Sequence, residues 1–73
     1  MKHQDVPRGF PDLLSARQVA ELTGVPIATL HMWAARRERG LNAPGPAVYQ
    51  LSGRHRRWAR ADVLAWLAST RIA

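Results

Sequence analysis

Arginine dominates the chemistry open to this chain. Arg36, Arg37 and Arg39 fall close together, and Arg54, Arg56, Arg57 and Arg60 form a second group with His55 among them. Against these seven arginines residues 31–60 set one carboxylate, Glu38. Elsewhere the charges cancel: Lys2, Arg8 and Arg17 face Asp5, Asp12 and Glu21, and Arg71 faces Asp62. The whole net charge of +6 therefore lies in the middle of the sequence. A guanidinium group offers a planar fork of donors that matches phosphate oxygens. A basic excess confined to one part of a small domain is the electrostatic footprint of a surface for a polyanion, usually nucleic acid. The ratio of ten arginines to one lysine also fits GC-rich coding, but coding bias does not gather charges into one stretch.

Other chemistries find little support. The carboxylates Asp5, Asp12, Glu21, Glu38 and Asp62 are dispersed, and no glycine-rich phosphate loop is present, so no catalytic residue is assigned and an enzyme is not expected. With no cysteine, and with His3, His31 and His55 lacking ligand spacing, neither a metal site nor a disulfide is expected, and no cofactor is implied. The absence of cysteine fits a reducing compartment. No apolar run reaches the length of a signal peptide or a membrane span, so the expectation is a soluble cytoplasmic protein without a membrane partner.

These side chains need elements to hold them. At 73 residues the chain is expected to form one domain, near the lower size at which a single apolar core suffices. Residues 1–12, with Pro7, Gly9 and Pro11, read as an N-terminal arm; residues 13–70 read as the domain and 71–73 as a short tail. Ser15 and Gln18 have capping-box spacing and start a first helix, with Val19, Ala20 and Leu22 on its apolar side. Gly24 makes the turn, and Pro26 fits the first turn of a second helix running to about Arg39, where Gly40 stops it. At about 100° per residue Leu30, Trp33, Ala34 and the stem of Arg37 share the inner side of that helix. Ala28, Met32, Ala35 and Arg39, flanked by Thr29, His31 and Arg36, share the outer side. Residues 40–47 are loop, 47–51 and 56–59 pair as a two-stranded hairpin with Arg54 and His55 at its tip, and 61–69 form a last helix. Trp58, with Tyr49 or Val48, is expected to anchor the hairpin to the helices.

The segment 16–39 resembles a helix-turn-helix, through Ala20, Gly24, Val25, Leu30 and Trp33 at fixed spacing. Over residues 12–68 the chain resembles the small winged helix-turn-helix proteins of the MerR-like superfamily, namely phage excisionases (recombination directionality factors) and AlpA-type regulators. The residues that carry the likeness are Leu13, Leu14, Val19, Ala20, Gly24, Val25, Trp33, the basic run 54–57, Asp62, Val63, Trp66 and Leu67. Pro26 and Ile27 depart from it, standing where relatives often place a hydroxyl and a basic residue. The fold class implied is mainly α with a small β-hairpin: a helix-turn-helix, a two-stranded wing and a C-terminal helix.

The resemblance implies a sequence-specific double-stranded DNA-binding protein working in a bacterial host cell. As an excisionase it would bind attachment-site DNA cooperatively, through self-association, bend it and direct a cognate phage integrase towards excision. An AlpA-like transcriptional regulator is the alternative. An RNA-binding or protein-interaction module, or a packaging subunit, which is expected to continue into an oligomerisation segment, fits less well. A helix fits the major groove, where base edges are distinguishable. Ala28, Thr29, His31, Met32, Arg36 and Arg39 are the recognition-helix candidates. Arg54, His55, Arg56 and Arg57 are the wing candidates, for phosphates or a narrow minor groove. Alternation along a strand sets Arg56 on the side of Trp58, and His55 and Arg57 on the other, which favours Arg54 and one of Arg56 or Arg57. Ser15 and Arg17 are candidate phosphate contacts at the start of the first helix.

Overall fold

The computed structural model describes residues 12–72. They form three helices and a three-stranded antiparallel sheet: β1 (Leu13–Leu14), α1 (Ala16–Thr23), α2 (Ile27–Glu38), β2 (Tyr49–Ser52), β3 (His55–Ala59) and α3 (Arg60–Ser69). The expected arm, residues 1–11, lies outside the described residues. Asp12, assigned to that arm, is docked: its carbonyl accepts from the Arg60 N–H at 2.8 Å and its Oδ2 accepts from Arg60 Nε at 2.8 Å.

The helix ends follow from local chemistry. Ser15 Oγ accepts from the Gln18 N–H at 3.2 Å while Gln18 Oε1 accepts from the Ser15 N–H at 2.8 Å, which satisfies two donors that the first turn of α1 leaves over. Gly24 ends α1 at φ +80°, donating to the Ala20 carbonyl at 2.7 Å. The turn is braced by Thr23, whose hydroxyl donates to the Val19 carbonyl at 2.7 Å and accepts from the Val25 N–H at 3.1 Å. Pro26 stands one residue before α2 rather than inside its first turn, and its carbonyl takes the first helical bond, from Leu30 N–H at 3.1 Å. At the far end Leu41 N–H reaches the Arg36 carbonyl and Gly40 N–H the Arg37 carbonyl, both at 2.9 Å. That Schellman pairing turns the chain through Gly40 and out of the helix.

The sheet departs from the expected two-stranded hairpin. Its order is β1-β3-β2, with Leu13 opposite Ala59 and Leu14 opposite Trp58 on one side, and Tyr49 opposite Arg57 and Gln50 opposite Arg56 on the other. Two residues of β1 are too few to carry a period-2 signal, and the pair Leu13-Leu14 reads as readily as helix lead-in. Their pairing makes β3 the central strand, with Trp58 and Ala59 paired to β1 and His55, Arg56 and Arg57 paired to β2. The hairpin strands also lie slightly later at β2 and earlier at β3 than the composition implied.

Every layer contributes to one core: Leu14 from β1, Val19 from α1, Leu30 and Ala34 from α2, Trp58 from β3 and Val63 from α3. Val25, Trp33, Val48 and Leu67 pack around it half-buried. Of the two proposed anchors beside Trp58, Val48 fills the role; Tyr49 is 41% exposed. Leu22, expected on the apolar side of α1, is 41% exposed, and Leu64 of α3 is 47% exposed. Helices as short as α1 and α3 cover the core with one narrow stripe, so side chains at the stripe's margin stay wet. The loop after α2 is tied down: Arg37 Nη2 donates to the carbonyls of Ala43 at 3.2 Å and Gly45 at 2.8 Å, and Gly45 sits so close to the indole of Trp33 that a Cβ there would run into the ring. Trp33 in turn meets Trp66 of α3 edge to face at 6.0 Å. No helix among the described residues is long and apolar enough to cross a membrane.

Candidate nucleic-acid interface

The outer side of α2 forms the first half of the candidate surface. Ala28 is exposed, Thr29 and His31 are half-buried, Met32 is 54% exposed, and Arg36 and Arg39 are exposed. Ala28, Met32 and Arg36 follow one another a turn apart and make a continuous stripe. Arg36 is partly engaged, its Nε donating to the Asn42 carbonyl at 3.1 Å, which leaves its terminal nitrogens for another acceptor. The Arg39 guanidinium has no partner among the described residues, and neither has that of Arg17 on α1. Ser15 Oγ accepts in its own helix cap, which leaves its O–H to donate elsewhere.

The β2–β3 hairpin forms the second half. Arg54 stands exposed in the turn, with no partner for its guanidinium among the described residues. Beside it Ser52 Oγ and His55 Nδ1 are hydrogen-bonded at 2.6 Å, which draws the imidazole back onto the turn. Arg57 is half-buried along the strand, one Nη1 donor going to the Arg56 carbonyl at 2.7 Å.

Arg56 joins the two halves. Its Nε donates to Glu38 Oε2 at 2.7 Å and its Nη2 to Glu38 Oε1 at 2.9 Å, a side-on bidentate pair between β3 and the end of α2. Its Nη1 donates to His31 Nδ1 at 2.9 Å, two turns earlier on the same helix. Glu38 and His31 are seven residues apart and so lie on one stripe of α2, and one guanidinium spans both. The side chains of Arg56 and Glu38 are 20% and 19% exposed. The Arg56 hydrogen bonds hold the Glu38 carboxyl below the usual carboxylate range, with burial opposing, and the same pairing raises Arg56 further. His31 is also held by its ring, which meets Trp58 edge to face at 6.0 Å.

The sequence-predicted residues thus divide. His31 and Arg56 are brought together by direct contact, and through them α2 and the hairpin form one surface. Arg36 leans towards the loop, His55 towards the turn, and Ser15 caps α1 with its O–H still available as a donor. The residue that sequence reasoning missed is Glu38. Its signal was present, as the only acidic residue of the basic stretch and in phase with His31, but its partner lies eighteen residues on in a strand whose register is not periodic enough to read.

Two surface depressions occur among the described residues, one lined by Leu14, Gln18, Glu21, Leu22 and Arg60 and one by Arg37, Glu38, Ala47 and Val48. No cluster of three metal-ligating side chains occurs among the described residues. No family model matches the chain, and neither a curated protein nor a solved structure matches it.

Proposed function

We propose that the protein is a sequence-specific double-stranded DNA-binding protein with winged helix-turn-helix architecture. In this reading α1 and α2 form the helix-turn-helix, α2 enters the major groove and the β2–β3 hairpin is the wing. The observation that carries it is the Arg56 bridge, which ties the outer side of α2 to the basic hairpin, with Arg39 and Arg54, whose guanidinium groups have no partner among the described residues, at the two ends. A solvated basic face has no need of such a link, whereas a ligand that spans two grooves requires the two halves to keep a fixed spacing. Within this class the resemblance to recombination directionality factors favours an excisionase that binds attachment-site DNA in several copies and directs a cognate integrase.

The first test is salt dependence. With Arg17, Arg36, Arg39, Arg54 and Arg57 on phosphates, log K against log salt on a duplex selected by the protein has a slope of about −4.5. A slope near zero would remove the DNA reading. The second is in vitro recombination with the cognate integrase, scored for both directions. The excisionase reading expects excision to rise and integration to fall; no change in either, with DNA binding retained, leaves a transcriptional regulator.

A further inference from the structure

His31 occupies an unusual position, held from two sides and open on a third. Arginine has donors and no acceptor. The 2.9 Å contact from Arg56 Nη1 therefore requires Nδ1 of His31 to accept, which puts the ring proton on Nε2. No partner for Nε2 occurs among the described residues, and no buried side-chain nitrogen or oxygen among them lacks a partner, so Nε2 reaches the surface. Its helical neighbours Ala28 and Ala35 end at Cβ, and His31 is half-buried rather than enclosed. Trp58, itself 1% exposed, fixes the plane of the ring.

From this we infer that His31 is a hydrogen-bond donor, through Nε2–H, to a non-bridging phosphodiester oxygen of the DNA strand that passes between α2 and the hairpin, with Arg56 as the positioning residue that sets its tautomer. The inference rests on the DNA-binding reading and assigns one contact within it. Phosphate is favoured over a base edge by location. The exposed positions Ala28 and Met32 are what face a groove floor, and His31 stands beside them, on the side where β3 approaches. A helix in one groove and a hairpin over the next are separated by a sugar-phosphate backbone, and the seam between them faces it.

Two substitutions separate the roles of the ring nitrogens. Asparagine places its amide near the Nδ1 position, so H31N can still accept from Arg56 but has no outward donor; glutamine places an N–H near the Nε2 position. Nitrogen-15 NMR of the free protein near neutral pH is expected to find Nδ1 unprotonated and Nε2 bearing hydrogen. On a duplex selected by the wild type, H31N is expected to bind about tenfold more weakly and H31Q within about threefold of wild type. A scan of singly methylphosphonate-substituted duplexes is expected to abolish the difference between wild type and H31N at one phosphate. A proton on Nδ1 in the free protein, wild-type affinity in a folded H31N, or a difference that survives at every phosphate would each overturn the assignment while leaving DNA binding intact. Loss of the difference on a 7-deazapurine duplex instead would replace phosphate by a base edge and overturn it too. Failure of the wild type to retain any duplex would remove both readings.

Discussion

Replacing Glu38 with glutamine tests whether the bridge between α2 and the hairpin is structural. Open ion pairs contribute about 0–1 kcal/mol, whereas removing one partner of a fully buried pair costs about 3–5 kcal/mol. The Arg56–Glu38 side chains, 20% and 19% exposed and joined by contacts of 2.7 and 2.9 Å, lie between these limits and nearer the first. A cost of about 1 kcal/mol is expected, which in a domain of this size lowers the melting midpoint by about 4–8 °C. The assay is urea unfolding of wild type, Glu38→Gln, Arg56→Met and the double variant, whose cycle isolates the pairwise contribution. The pH dependence is a second signature. Because Arg56 lowers the pKa of Glu38 in the folded state, the unfolded chain takes up that proton first as pH falls. The contribution is therefore complete above the unfolded carboxylate value of roughly 4.3, and disappears as pH falls through the lower folded value. Wild type and Glu38→Gln should differ by a constant amount between about pH 6 and 8 and converge in acid. A coupling energy below about 0.3 kcal/mol, or a difference that persists undiminished at about pH 2, would refute the reasoning.

Other substitutions probe the scaffold and the surface separately. Gly45→Ala would drive a Cβ into the indole of Trp33 at a residue with φ +95°, whereas Gly40→Ala, at φ +76° with no atom within 4 Å, meets only backbone strain. Expected costs are about 3 and about 1 kcal/mol by urea midpoint, and equal costs would remove the packing argument. Ser15→Ala should cost about 1 kcal/mol by loss of the capping box, with glycine there costing less than alanine. Trp58→Ala should cost about 3–5 kcal/mol and abolish a cooperative melt, while Arg54→Ala should leave the melt unchanged and reduce the salt slope of DNA binding by about 1.

The helical half of the fold was legible in the sequence because its signals are local. Ser15 and Gln18 announce the start of α1, Gly24 the turn and Gly40 the stop, and each is a short-range demand on φ or on an unpaired backbone group. The sheet was less legible. β1 exists because Leu13 and Leu14 pair with Ala59 and Trp58, more than forty positions away, and nothing within two residues can encode that partner. The same limit applied to the surface. Membership of the basic stretch was readable from composition, but the use made of each arginine was not, because the acceptors that engage Arg36 and Arg37 are loop carbonyls that carry no sequence signature.

The distribution of acceptors changes how the basic stretch acts. Of its guanidinium groups, Arg37 holds the loop at two carbonyls, Arg56 is held by Glu38 and His31, and Arg60 is paired with Asp12, while Arg39 and Arg54 have no partner among the described residues. The field of the domain depends on net charge, and the internal hydrogen bonds of Arg37 to neutral carbonyls leave its charge in place. Short-range grip depends on unspent donors in the right place, and these are concentrated at the end of α2 and at the hairpin tip. On the DNA-binding reading, a design of this kind would separate attraction from positioning: most of the arginines would draw a polyanion towards the face, but few would fix its register. It follows that lysine in place of Arg56 would keep the field and lose the forked contacts that hold the hairpin to α2, so on the DNA-binding reading its effect would fall on stability and on the discrimination between duplexes more than on the salt slope.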